Sequence, residues 1–147
     1  MVVGVARFAW REFMAAVRTV TVLLDTRFLI WLVLQSKRLA KFIWLDRHRP
    51  RGVSPVSFLE IQFLAEVGRL SVKNPEFTKA VTNDNRFIVD DIPLETLVGH
   101  ALRLTWTRDP FDRLLVGHSS VRHVAFCTID RGIRDHHRLI PAELIEE

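Results

Sequence analysis

In the stretch TWTRDPFDRLL, Thr105 to Leu115, Asp109 and Asp112 stand three positions apart around Pro110, with Arg108 and Arg113 on their outer sides. Carboxylates at such spacing can hold a cation or do acid–base work. They also suit a helix start. Asp109 as N-cap accepts from free backbone N–H groups, and Pro110 gives up only a donor the helix cannot use. Asp112 in the first turn then gains roughly 0.3–1 kcal/mol from the helix dipole. On this stretch alone both readings stand.

Three further acids bear on the choice. Asp25 ends the apolar run TVTVLLD, Asp130 ends a second one, HVAFCTID, and Glu60 sits in SFLE. Each has a plain structural reading: a strand-end Asp forms turns, and Ser57 with Glu60 fits a capping box. If the four carboxylates of Asp25, Glu60, Asp112 and Asp130 converge, they repel one another and something cationic must hold them. Oxygen ligands without a Cys or His cluster point to Mg2+ or Mn2+. Zinc is disfavoured, because there is no His-Glu-x-x-His and no Cys pair, and His136–His137 lies in a polar tail. Cys127 sits within an apolar strand where a thiol is inert, and neither Gly-x-Ser-x-Gly nor a Gly-rich phosphate loop is present.

For these acids to meet, strand ends and helix starts must reach one edge of a sheet. Residues 1–18 read as an amphipathic helical extension, with Arg7, Arg11 and Arg18 on one face and Trp10, Phe13, Met14 and Val17 opposite; Met14 offers a second translation start. Residues 19–147 read as the domain. A strand ends at Asp25, and helices TRFLIWLVLQS and SKRLAKFIWLDRH follow, the second capped by Ser36. RGVSPV is a short strand closed by Pro55, and SFLEIQFLAEVGRL is a helix stopped near Gly68. Beyond it lie the short helix NPEFTKAVTNDN, RFIVDDIP as a brief strand or extended piece, and the helix LETLVGHALRL. A helix from Pro110 to about Val121, the strand HVAFCTID and a short last strand, HRLIP, complete the chain. The alternation predicts an α/β fold, a three-layer sandwich with a mainly parallel central sheet flanked by helices. Ligands of such sheets bind beyond the carboxyl ends of the strands, where Asp25 and Asp130 stand.

With 147 residues, 48% hydrophobic and 26% charged, the chain is most simply one globular domain. The lone Cys127 cannot pair within the chain, so a reducing, cytoplasmic setting is expected. The net charge of +4 comes from 17 Arg but only 4 Lys against 17 acids, which favours forked recognition of phosphate or carboxylate. No segment reaches the ~20 apolar residues of a membrane span, so no membrane association is expected, and Arg7, Arg11, Glu12 and Arg18 interrupt any signal-peptide core.

The blocks VTVLLDTRFLIWLV, VSPVSFLEI, RDPFDRLLVGHSS and FCTIDRGIRDH, in this order, resemble the PIN-domain family, specifically the VapC-like toxins of bacterial toxin–antitoxin pairs. The likeness covers about Val20 to Ile140, and DPFDRLL is its most specific part. It implies a PIN-like domain and a Mg2+- or Mn2+-dependent endoribonuclease, with metal-binding acids at Asp25, Glu60, Asp112 and Asp130 and Asp109 as a lesser contributor or cap. It further implies an RNA substrate, a cognate antitoxin protein and a homodimer in which FLIWLVL is an exposed surface. Thr26 and Thr128 would orient ligands or water, and Arg27, Arg108, Arg113 and Arg131 would contact RNA phosphates. The chain departs from the family pattern at Arg27, Phe58–Leu59 and His118–Ser119, none of which removes an acid.

Two other classes compete. A PIN-like binding module with weak or no catalysis would keep the fold and act by holding a partner. A phospho-accepting receiver shares the layout but needs a late lysine, and Lys79 is the last one here.

Overall fold

The computed structural model describes residues 20–145; the expected N-terminal helix of residues 1–18 lies outside them. Four three-residue strands, β1 (Val22–Leu24), β2 (Arg51–Val53), β3 (Phe87–Val89) and β4 (Ala125–Cys127), form one sheet in the order β3-β2-β1-β4. Every pairing is parallel, with Leu23 opposite both Gly52 and Phe126. Among the described residues seven α-helices surround it: α1 (Thr26–Val33), α2 (Pro55–Glu66), α3 (Glu76–Thr82), α4 (Leu94–Ala101), α5 (Pro110–Arg122), α6 (Arg131–His136) and α7 (Ala142–Ile145).

The unbroken apolar run of β1 is explained by its central place. Val22, Leu23 and Leu24 are each fully buried, as a strand covered on both faces requires. Because side chains alternate across a strand, they divide between two cores. Val22, Leu24 and Cys127 join Phe28, Leu29, Ile61, Phe77 and Leu144 on one face. Leu23 and Phe126 join Leu115 and Val116 of α5 and Ile133 of α6 on the other. The expected three-layer arrangement is thus present. Gly52 makes the tight β1–β2 pairing possible, since a Cβ there would lie 2.7 Å from Val20 Cγ1 and 3.2 Å from the Val22 carbonyl.

Four local expectations are corrected. SKRLAKFIWLDRH is not an α-helix but two short 3-10 helices, Lys37–Lys41 and Ile43–Arg47, with Ser36 capping the first. Phe42 and Trp44 are both 7% exposed. Positions two apart do not share a helix face, so a break at Phe42 is what lets both rings pack inward. HRLIP forms no strand. Phe126 N–H donates to the Leu139 carbonyl at 2.7 Å, but Pro141 has no N–H with which to extend a ladder.

The expected capping box also fails. The N-cap of α2 is Ser54, whose hydroxyl accepts from Val56 N–H at 3.2 Å, with Pro55 opening the helix instead of closing the strand. Ser57 is therefore inside the helix, fully buried, and accepts from the Thr26 hydroxyl at 3.0 Å. Finally, FLIWLVL is not an exposed surface: Phe28, Leu29, Trp31 and Leu32 are buried in the first core. No helix among the described residues is long and apolar enough to cross a membrane.

Candidate functional site

From β1 the chain moves outward to β2 and β3, then returns to place β4 on the other side of β1. Beyond the carboxyl ends of β1 and β4, where open α/β sheets take their ligands, lies a cleft of about 300 Å³ lined by Asp25, Glu60, Asp109, Asp112 and Asp130. All four sequence-predicted acids, and Asp109 with them, therefore face one space. They arrive on separate elements: Asp25 after β1, Glu60 on α2, Asp109 and Asp112 at the start of α5, and Asp130 after β4.

Asp25 is the N-cap of α1, its Oδ1 accepting from Thr26 N–H at 2.7 Å. Its Oδ2 accepts from the Thr128 hydroxyl at 2.6 Å. That same hydroxyl oxygen accepts from Asp130 N–H at 3.1 Å, so Thr128, wholly buried, links the acids that follow the paired strands β1 and β4. Asp130 caps α6 by accepting from Ile133 N–H at 3.0 Å. Burial pushes the Asp25 carboxyl above its ordinary range despite the Thr128 and Thr26 hydrogen bonds.

Glu60 sits in the second turn of α2, a consequence of the earlier helix start at Ser54. It has no cap to serve. Burial raises its pKa, with Asp25 and Asp109 adding repulsion and Thr26 and Arg27 opposing it. Its Oε1 is buried without a hydrogen-bond partner, an arrangement that costs free energy unless a ligand or water completes it.

The motif around Pro110 is both a cap and part of the cleft. Asp109 caps α5, Oδ1 accepting from Phe111 and Asp112 N–H at 2.8 and 3.3 Å. Asp112 has no such duty. Burial, then Asp109, Asp25, Asp130 and Glu60, push its carboxyl up to about 7. A group so displaced, in a cleft and by its own neighbours, marks a functional candidate.

The donors are all carboxylate oxygens, one of them orphaned, so the chemistry of the set fits a hard divalent cation. Among the described residues no three His, Cys, Asp or Glu side chains are drawn to metal-holding separation. The acids line the cleft instead of closing on one point.

Of the other predicted residues, Arg27 and Thr26 line the cleft, and Thr128 supports it from behind. Arg113 is half-buried, and its Nε donates to the Thr107 carbonyl at 2.7 Å and braces the loop before α5. Arg108 and Arg131 are exposed. Reading the sequence missed Phe63, Phe111 and Arg69, which also line the cleft. Phe63 was legible in principle, being one helix turn past Glu60. Arg69 was not, since it is directed by Gly68, whose φ of +78° ends α2 and turns the chain.

No family model matches the chain, and no curated protein matches it.

Proposed function

We propose that this cleft is the active centre of a Mg2+- or Mn2+-dependent endoribonuclease of the PIN type, acting in the cytoplasm as the toxin of a toxin–antitoxin pair. The observation that carries the reading is the meeting, on one cleft at the sheet's reversal point, of acids from four separate segments. The four-block resemblance to VapC-like proteins, whose blocks hold the same acids, supports it as well.

Asp25, Glu60, Asp112 and Asp130 would hold the cation. When bound, it supplies the positive charge that polarises a phosphodiester and acidifies water for attack. The chain's own contribution is positional. Thr128 fixes the rotamer of Asp25, α2 presents the unpartnered Glu60 Oε1, and the Asp109 cap sets the first turn that carries Asp112. Without the cation the Asp112 carboxyl is pushed up to about 7, so binding the ion would displace its proton.

Purified protein should cleave RNA in Mg2+ or Mn2+ and not in chelator, and Asp112→Asn should abolish cleavage; full activity in that variant would sink the proposal. The antitoxin would inhibit by laying an Arg or Lys among the acids, where charge-assisted hydrogen bonds replace the metal. The homodimer cannot rest on α1, which is core, but α4 offers a surface. Leu94, Val98 and Leu102 recur every four residues and are 70%, 39% and 68% exposed. That ridge is also what favours the second reading, a binding module of the same fold, in which cleavage would be absent and partner binding retained.

A further inference from the structure

We propose that Phe63 and Phe111 form an aromatic rim that stacks an unpaired base of an RNA strand held in the cleft; this rests on the nuclease reading above. Each ring is set by the same helix that sets an acid. Phe63 lies three residues after Glu60 on α2, and Phe111 immediately precedes Asp112 on α5. Their centroids are 5.6 Å apart with planes inclined at 44°, a contact that is neither face-to-face stacked nor edge-on. Phe63 is 46% exposed, although burying a phenylalanine is worth about 1.5–3 kcal/mol. A large apolar side chain left open beside a charged cleft is placed for a ligand with a flat, weakly hydrated face.

The rest of the lining decides which ligand. Arg27 and Arg69 reach the same cleft, both exposed, and neither guanidinium has a hydrogen-bond or ion-pair partner among the described residues. Forked cations, aromatic faces and oxygen ligands for a divalent ion together match one phosphodiester with its base: the cations take phosphate oxygens and the rings take the π-face. A base inside a duplex has both faces covered by its neighbours, so only an unpaired one can use the rim. A protein partner laid along α2 would instead bury Leu59 and Val67, 64% and 51% exposed on either side of Phe63, and a base has no use for them.

The test measures fluorescence anisotropy of a labelled single-stranded RNA nonamer, and of the same strand annealed to its complement, against full-length protein carrying Asp112→Asn so that the RNA survives. The single strand should bind more tightly than the duplex. Phe63→Ala and Phe111→Ala should each weaken it roughly five- to a hundredfold, and Phe→Leu at either position should weaken it too, since bulk is kept and the π-face lost. Phe→Trp should restore binding. An abasic residue at the stacked position should lower parent affinity to that of the alanine variants and cost those variants nothing more. Leu59→Ser should leave RNA affinity alone. Thermal melts identify any variant whose loss reflects misfolding, and the leucine and tryptophan variants keep the question open to test in that event. Unchanged affinity in both alanine variants, full affinity in both leucine variants, or an equal loss in Leu59→Ser would overturn the rim. If wild type cleaves RNA while the rim variants behave like it, this inference alone fails. If wild type neither binds nor cleaves RNA, the nuclease reading fails with it.

Discussion

Thr128 holds Asp25. The two are 103 positions apart, yet the Thr128 hydroxyl donates to Asp25 Oδ2 at 2.6 Å from a wholly buried position. The parallel register of β1 and β4, with Leu24 opposite Cys127, brings them together.

Thr128→Val keeps the shape and removes both the donor to Asp25 and the acceptor for Asp130 N–H. The expected cost is roughly 1–3 kcal/mol, because buried polar groups are left unpaired, and chemical denaturation would measure it. The hydrogen bond opposes the burial that raises the Asp25 pKa, so the acidic limb of the pH–cleavage profile should move to higher pH. Thr128→Ser should retain both properties. A valine variant with wild-type profile and stability would show that the bond does nothing.

Asp112 makes folding pH-dependent. Its carboxyl ionises near 3.8 in the unfolded chain and near 7 in the fold, so between these values the native state holds the extra proton. The stability this group contributes is complete below about pH 4 and is lost as pH rises through about 7. In metal-free buffer Asp112→Asn should therefore raise the melting temperature more at pH 8 than at pH 5. Equal differences at the two pH values would contradict the crowding of carboxylates.

Divalent cations should reverse that penalty. A ligand at a hundred times its Kd stabilises by about 2.7 kcal/mol, so Mn2+ or Mg2+ should raise the melting temperature at pH 8, beyond the effect of monovalent salt at equal ionic strength. Asp25→Asn and Glu60→Gln should each reduce the rise. Glu60→Gln should be at least as stable as wild type without metal, because it relieves a buried, unpartnered carboxylate. A cation response unchanged in both variants would place the ion elsewhere.

Away from the cleft, Asp90 ties β3 to α5. Its Oδ2 accepts from His118 Nε2 and from Arg122 Nε, both at 2.8 Å. Burial pushes this carboxyl up, but the two hydrogen bonds outweigh it and hold it below its usual range. Its stabilisation is therefore present above about pH 4 and lost as pH falls further. Asp90→Ala should cost about 3 kcal/mol at pH 7 and much less near pH 3, as denaturant titrations at the two values would show. A cost independent of pH would mean the pair is not ionic.

The parts legible in the sequence are those that local physics decides. Apolar runs ending on Asp25 and Asp130 marked buried parallel strands, because a strand covered on both faces has no polar side to display. Asp109–Pro110 announced the start of α5, because a cap needs only the backbone next to it. The alternation of these elements was enough for the α/β sandwich and for placing two acids at one sheet edge.

What only the tertiary structure decided depends on partners distant in the chain. SFLE and VSPV are both good helix starts. Packing resolves the choice in favour of Ser54, because Ser57 is needed inside the helix, against Thr26. That choice moves Glu60 from cap to cleft. The apolar run Phe28–Leu34 reads the same whether it covers a sheet or faces a partner, and the sheet face above Val22 and Leu24 settles it. Phe42 and Trp44 break their helix because both rings must reach that core. Side-chain periodicity records which residues seek burial, whereas the position of the surface that buries them is set by strand order.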